Sequence, residues 1–294
     1  MSQIVWLASY PRSGNTWMRA FLTNFLTPDD KPADINALGV GLNASGREIF
    51  DEALGIESSD MTADEIERHR PAAYRQMAAA ASADKLFFKI HDAYKYTSRG
   101  ESTIPADVTW GAIYLVRNPL DVAVSAAHHF SQTLDEAIRS MADDTRALAA
   151  DPSRLRPYLT QRYLSWSRHV LSWLDQREIA IHLMRYEDMC RHPLETFTTA
   201  IEFLGMTGGV DRVRRAITFS SFQSLREQEQ IHGFRGRPSG AGSFFRNGRP
   251  GGWREVLSDV QAGRIIHDHR HMMQRLGYLS EIGGRSLQGT PAGR

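Results

Sequence analysis

The feature that most constrains the fold is the alternation of short apolar strands with helical segments. Strands rich in Ile, Val, Leu, Phe or Trp are predicted at residues 3–9, 86–90, 110–116 and 179–184. Helical spacing of apolar residues follows the first and last of them, at 15–26 and 194–204. An Ala-rich helix is predicted around residues 72–83 and a further helix at 162–174. Strands separated by helices pair in parallel, since parallel pairing needs a long crossover connection. The sequence therefore predicts an α/β fold: a mainly parallel central sheet flanked by helices, as a single domain with helical insertions.

Composition fits this fold and excludes other classes. The 294 residues are 41% hydrophobic and 23% charged, which excludes disordered and fibrous chains. The sequence offers no transmembrane segment or signal peptide, and the single Cys190 excludes an internal disulfide framework. We expect a cytoplasmic protein whose domain covers residues 1–280, with a mobile Gly-rich loop at 226–245 and a flexible tail at 281–294.

The charge is unevenly distributed although the formal net charge is only +1. Residues 226–294 contain eleven arginines against six acidic residues, without a continuous basic run. This pattern favours a small anion as ligand and argues against nucleic acid. Lysine is rare, with Lys89 as one of only four, so a lysine at a site is informative.

The segment SYPRSGNTW at residues 9–17 lies between the first strand and the first helix. The N-terminus of a helix presents free backbone N–H groups to an anion. Gly14 permits close approach, Ser13 and Thr16 supply hydroxyls, and Arg12 supplies charge. The segment is not a Walker A loop, because the G-x-x-x-x-G-K-[ST] spacing is absent. Taken alone, it is equally consistent with an ordinary strand–turn–helix capped by Ser13 or Thr16.

Three further segments carry candidate binding or catalytic residues. Arg117 ends the third strand and Ser125 follows it by eight residues, at an edge where α/β sheets bind ligands. The segment FRNGRPGGWR at 245–254 is a basic, Gly-rich loop. Lys89 and His91 alternate onto one side of the second strand near its end. Separately, each has an ordinary explanation: a salt-bridge arginine, a solvated loop, a histidine bonded to backbone.

In order and spacing, these segments resemble the sulfotransferases that use 3′-phosphoadenosine 5′-phosphosulfate (PAPS), from about residue 3 to residue 257. Residues 9–17 are similar to the family's 5′-phosphosulfate loop and 114–125 to its 3′-phosphate motif. Residues 245–254 resemble its R-K-G-x-x-G-D-W-K loop, RYEDM at 185–189 its Y-E-D-M, and SSF at 220–222 its T-S-F. The chain departs from the family pattern in three places, with Arg12 and Asn247 in place of lysines and Gly252 in place of aspartate.

The resemblance implies a P-loop-NTPase-like sulfotransferase fold whose helical insertions form the acceptor site. It also implies direct in-line transfer of a sulfuryl group from PAPS to a hydroxyl, with 3′,5′-bisphosphoadenosine (PAP) as product and no metal. It assigns His91 as general base, with Lys89 and Arg12 offsetting charge on the transferred group. The acceptor is expected to be a small molecule, such as a secondary metabolite, a glycan or a lipid head group. The residues implied to bind the nucleotide are Arg12, Ser13, Gly14, Asn15, Thr16, Trp17, Arg117, Ser125, Tyr186, Ser220, Phe222, Arg246, Asn247 and Gly248.

Two other functions stay open from the sequence. A nucleotide kinase on a P-loop-like fold is disfavoured by the absence of the Lys-Ser/Thr pair that holds magnesium. A catalytically degenerate nucleotide-binding protein is consistent with the changes at residues 12, 247 and 252. His267 and His271 lie one helical turn apart but have no third ligand at a motif spacing, so metal binding there is disfavoured. The oligomeric state is left open.

Overall fold

The computed structural model describes residues 2–27, 29–150, 155–238 and 242–283. Its main sheet has five parallel strands in the order β2-β3-β1-β4-β7, which confirms the predicted parallel sheet. A separate antiparallel pair is formed by β5 and β6. The strands are β1 Gln3–Ser9, β2 Leu42–Asn43, β3 Lys85–Ile90, β4 Thr109–Val116, β5 Ala147–Leu148, β6 Gln161–Arg162 and β7 Ile181–Arg185.

Helices cover both faces of the sheet. Residues of β1 alternate between two apolar clusters: Trp6 joins the one that includes α4, α6 and α11, and Leu7 joins the one that includes α1, α8 and α9. The described α-helices are α1 Asn15–Leu26, α2 Arg47–Leu54, α3 Ala63–Ala80, α4 Pro119–His129, α5 Leu134–Ala142, α6 Trp166–Asp175, α7 Tyr186–Arg191, α8 Pro193–Phe203, α9 Val210–Phe219, α10 Phe222–His232, α11 Asp259–Arg275 and α12 Tyr278–Gly283.

Two helix starts differ from the sequence prediction, and side-chain caps explain both. A helix was predicted near residues 72–83, whereas α3 begins at 63, where Thr62 and Glu65 form a reciprocal capping box. A helix was predicted from residue 162, but Gln161–Arg162 is a strand and α6 begins at 166. There the hydroxyl of Ser165 accepts a hydrogen bond from the backbone N–H of Arg168.

The two segments expected to be mobile are helical in part. Helix α10 covers residues 226–232 of the predicted loop, and α12 covers residues 281–283 of the predicted tail. Residues 239–241 and 284–294 lie outside the described part of the chain. No helix in the described ranges is both long and apolar enough to cross a membrane.

The parallel sheet brings the predicted site segments to one edge. In the strand register, Ala8 pairs with Ile90 and Ser9 pairs with Leu115, so β1, β3 and β4 end side by side. The loops that follow these three strands therefore meet at their carboxyl ends. This is where open α/β sheets bind ligands.

Candidate active site

A cavity of about 700 Å³ opens at this carboxyl edge. Its walls include every predicted site residue except Ser13 and Ser220. Those that line it are Arg12, Gly14, Asn15, Thr16, Trp17, Lys89, His91, Arg117, Ser125, Tyr186, Phe222, Arg246, Asn247 and Gly248. The chain thus brings together segments from six separate parts of the sequence.

The turn between β1 and α1 is held in an unusual backbone conformation. Gly14 has φ 104°, and Arg12 has φ 72°, a left-handed value that is uncommon outside glycine. A side chain at Gly14 would place its Cβ 2.9 Å from Cδ2 of Tyr186. Asn15 fixes the turn, because its Nδ2 donates to the Leu7 carbonyl oxygen (2.8 Å) and to the Ser9 hydroxyl (3.2 Å).

Arg12 spans from this turn to helix α4. Its Nε donates to the Ser125 hydroxyl (3.0 Å) and its Nη1 donates to Nδ1 of His129 (3.2 Å), while the guanidinium lies over the Phe244 ring. Burial and the charge of Arg117 lower the pKa of Arg12 to about 10, so it is charged at neutral pH. Burial and the charge of Arg12 also lower the pKa of His129 to about 3, which keeps that ring a neutral acceptor.

Arg117 and the Gly-rich loop are joined through Tyr186. The Arg117 guanidinium stacks over the Tyr186 ring at 4.2 Å, and its Nη1 donates to the Arg12 carbonyl oxygen (3.4 Å). The Tyr186 hydroxyl donates to the Gly248 carbonyl oxygen (2.8 Å). Tyr186 therefore fixes the spacing between the cation at the end of β4 and the loop that faces it.

Asp121, which the sequence did not single out, anchors the same loop. Its buried carboxylate accepts the backbone N–H groups of Gly251 (2.7 Å) and Trp253 (3.0 Å). Gly252 and Asn247, two of the departures from the family pattern, are packed against each other in this loop. A Cβ at position 252 would lie 2.7 Å from Nδ2 of Asn247. An Asp four residues after a strand-end Arg has no distinctive pattern, so this partner is visible only in three dimensions.

The His91 ring is fixed in one tautomer by backbone. Its Nδ1 lies 2.8 Å from the Ser9 carbonyl oxygen, and a carbonyl can only accept, so Nδ1 carries the proton and Nε2 holds the lone pair. The His91 carbonyl oxygen in turn accepts from Nε2 of buried His169, whose Nδ1 accepts from the Tyr114 hydroxyl. Burial and the charge of Lys89 lower the pKa of His91 well below 6.5, so the ring is neutral at pH 7.

Lys89 lies beside His91 on β3, and its ammonium has no hydrogen-bond or ion-pair partner among the described residues. Burial, Arg19 and Arg12 lower its pKa to about 8. A lysine surrounded by like charges is stabilised by an anion that binds between them. The cavity therefore places unpaired positive charge next to a neutral histidine.

Some predicted residues are placed away from the cavity. Ser220 is buried, and its hydroxyl donates back to the Ala216 carbonyl oxygen (2.7 Å) within α9. Ser13 is also buried, with its hydroxyl unpartnered among the described residues. No group of three His, Cys, Asp or Glu side chains arranged to hold a metal ion is found in the described ranges, and exposed His267 pairs with its neighbour Asp268.

The fold and the site define an α/β protein with a cleft at the carboxyl ends of parallel strands, where proteins of this class bind their ligands. The model of the sulfotransferase domain family matches residues 2–277. The chain therefore belongs to the sulfotransferase domain family.

Known relatives agree with this family at low identity. Sulfotransferase 2A6 of Rattus norvegicus is 29% identical over 168 residues, covering 51% of this chain and 52% of the relative, so the chain spans about half the length of that relative. Flavonol 3-sulfotransferase of Flaveria bidentis is 26% identical over 285 residues, covering 89% and 78%. The structure of mouse sulfotransferase SULT7A1 complexed with PAP superposes with a TM-score of 0.60 at 18% identity, covering 92% of this chain and 85% of that chain, and shares its fold.

Proposed function

We propose that this protein transfers the sulfuryl group of PAPS to a hydroxyl group of a small-molecule acceptor and releases PAP. The observation that carries the proposal is one cavity that places neutral His91 among the cations Arg12, Lys89, Arg117 and Arg246. The histidine can act as a base for an acceptor hydroxyl, and the four cations can offset the charge of a doubly phosphorylated nucleotide. Family membership supports the choice of sulfuryl transfer.

The unpaired polar atoms around the cavity fit such a nucleotide. The Nε1 atom of Trp17 and the Nε atom of Arg117, both residues that line the cavity, are buried without a partner among the described residues. We assign the 5′ end of the nucleotide to the turn before α1, whose N–H groups are directed at an anion. Arg117, Ser125 and Arg246 would hold the 3′-phosphate. The rings of Trp17, Tyr186 and Phe222 would enclose the adenine.

PAPS, when bound, supplies a sulfuryl group on a phosphate leaving group. His91 accepts the proton of the acceptor hydroxyl at Nε2, because Nδ1 already donates to Ser9. Lys89 and Arg12 stabilise negative charge that develops beside them, and Arg12 is held in place before any ligand arrives by its bonds to Ser125 and His129. An anion between these cations would also raise the pKa of His91, making it a stronger base once the donor is in place.

A small acceptor is supported by the flavonol named for one relative. Further aromatic rings of the cavity, Phe130, Phe234 and Phe244, suit an acceptor with an apolar part. A cytoplasmic location stays a prediction from the sequence.

The direct test is incubation of the purified protein with PAPS and a library of hydroxylated compounds, read by high-resolution mass spectrometry. We expect products that carry one added sulfuryl group, formed together with an equal amount of PAP. A parallel arm replaces PAPS by ATP and Mg²⁺. Phosphorylated products there would support a kinase instead, and PAP binding without transfer to any compound would support a degenerate nucleotide-binding protein.

A further inference from the structure

Arg19 is a cation of the cavity that the nucleotide assignment does not use. It lies on α1, one turn after Asn15, and lines the cavity together with Lys89. Its Nε donates to the Val40 carbonyl oxygen (2.9 Å), and the adjoining Gly41 is packed so closely that a Cβ there would lie 2.8 Å from that Nε. This contact holds the guanidinium at the cavity wall. Its other N–H groups have no partner among the described residues.

Arg19 contacts the segment that precedes β2, on the opposite side of β1 from the nucleotide residues that follow β4 and β7. In the strand order, β2 and β3 are on one side of β1, whereas β4 and β7 are on the other. The residues assigned to the 3′-phosphate and adenine, Arg117 and Tyr186, follow β4 and β7. Arg19 is bonded to the segment that leads into β2, and Asn43 of β2 pairs with Lys89 of β3. Arg19 therefore lies on the side of the cavity that contains Lys89 and β2, away from Arg117 and Tyr186.

No carboxylate neutralises this part of the cavity. Among the described residues that line it, Asp121 is the only acidic one, and its two oxygens already accept N–H groups of the Gly-rich loop. The charge of Arg19 contributes to the lowered pKa of Lys89, so the two cations repel each other across the cavity. An unpaired, partly buried pair of cations is costly unless an anion offsets it.

We infer that the acceptor is a hydroxy compound that also carries a carboxylate, and that Arg19 is the residue that recognises this carboxylate. The inference rests on the proposed function and narrows its acceptor class. Arg19 can present two parallel N–H groups to a carboxylate, a geometry that an amide or an ester does not satisfy. A neutral acceptor of the same shape would leave the guanidinium unpaired and would bind more weakly.

The test uses three phenols of similar size: 4-hydroxyphenylacetate, its neutral amide and the cationic amine tyramine. Binding of each to the PAP-saturated protein is measured by calorimetry. We expect the anion to bind at least about tenfold more tightly than the amide, and tyramine to bind most weakly. In Arg19→Gln the preference for the anion should fall to less than about threefold, and Arg19→Lys should retain part of it.

Arg212→Gln is the matched control, because Nε of Arg212 also donates to a backbone carbonyl oxygen, that of Phe25 (2.6 Å), away from the cavity. It should leave the preference unchanged. If the wild type binds the anion no more tightly than the amide, the inference is overturned. A transfer assay with the same phenols and PAPS gives a second readout. If Arg19→Gln lowers the transfer rate equally for all three phenols, Arg19 acts on the donor and the inference is overturned. Failure of PAP itself to bind would instead overturn the proposed function.

Discussion

Replacing Arg117 by alanine tests whether the end of β4 binds the 3′-phosphate. In the structure, Nη1 of Arg117 donates one bond to the Arg12 carbonyl oxygen, and its Nε is buried without a partner among the described residues. This leaves four of its five N–H groups, of which we expect one or two to bond to the phosphate. At about 1.5–3 kcal/mol for a hydrogen bond between charged groups, the Arg117→Ala variant should lose about 2–4 kcal/mol of PAP binding, or about 30- to 1,000-fold in affinity.

Calorimetry with PAP and with 5′-AMP, which lacks the 3′-phosphate, gives the comparison. Arg117→Ala should lower the affinity for 5′-AMP by less than about threefold, because the lost hydrogen bonds go to a phosphate that 5′-AMP does not have. Arg249→Ala is the control: Arg249 is an exposed arginine of the same cavity, paired with Glu255, and should change PAP affinity by less than about threefold. Equal losses of PAP and 5′-AMP in Arg117→Ala would refute the assignment.

Three further changes give distinct outcomes. The pKa of Lys89 is about 8, and its charged form is the one that binds the donor. Therefore kcat/KM for PAPS should fall by about tenfold per pH unit above pH 8. The Lys89→Arg variant should not show this decline. Asp121→Ala should raise the KM for PAPS at least about fivefold and lower stability by about 1–3 kcal/mol in denaturant unfolding, since two loop N–H groups lose their acceptor; an unchanged KM would contradict its anchoring role. Gly248→Ala should abolish PAP binding in calorimetry, because the new Cβ would lie 2.1 Å from Cδ2 of Phe222 at a φ of 63°.

The sheet and the meeting of Arg12, His91 and Arg117 at its carboxyl edge could be predicted because both follow from local patterns. Each strand is a short apolar run, and parallel strands end at one edge, so Arg12, His91 and Arg117 had to lie near one another. The sequence also contains the signal for the start of α3, although the prediction placed that helix near 72–83, because Thr62 and Glu65 have the spacing of a capping box.

The contacts that complete the site could not be predicted in the same way. Asp121 anchors a loop that follows it by 130 residues, and the guanidinium of Arg12 reaches His129 through a backbone turn at positive φ. The hydroxyl of Ser220 matched a family motif but is bonded within its own helix. Such partners depend on packing between distant segments, which no local pattern encodes.

The central claim is that His91 removes the proton of an acceptor hydroxyl during sulfuryl transfer. With an acceptor found in the library screen, single-turnover formation of PAP from PAPS is followed in the wild type and in His91→Asn. We predict that His91→Asn binds PAP within about threefold of the wild type while the rate of transfer falls at least about 100-fold. Transfer at the wild-type rate in His91→Asn would contradict the account.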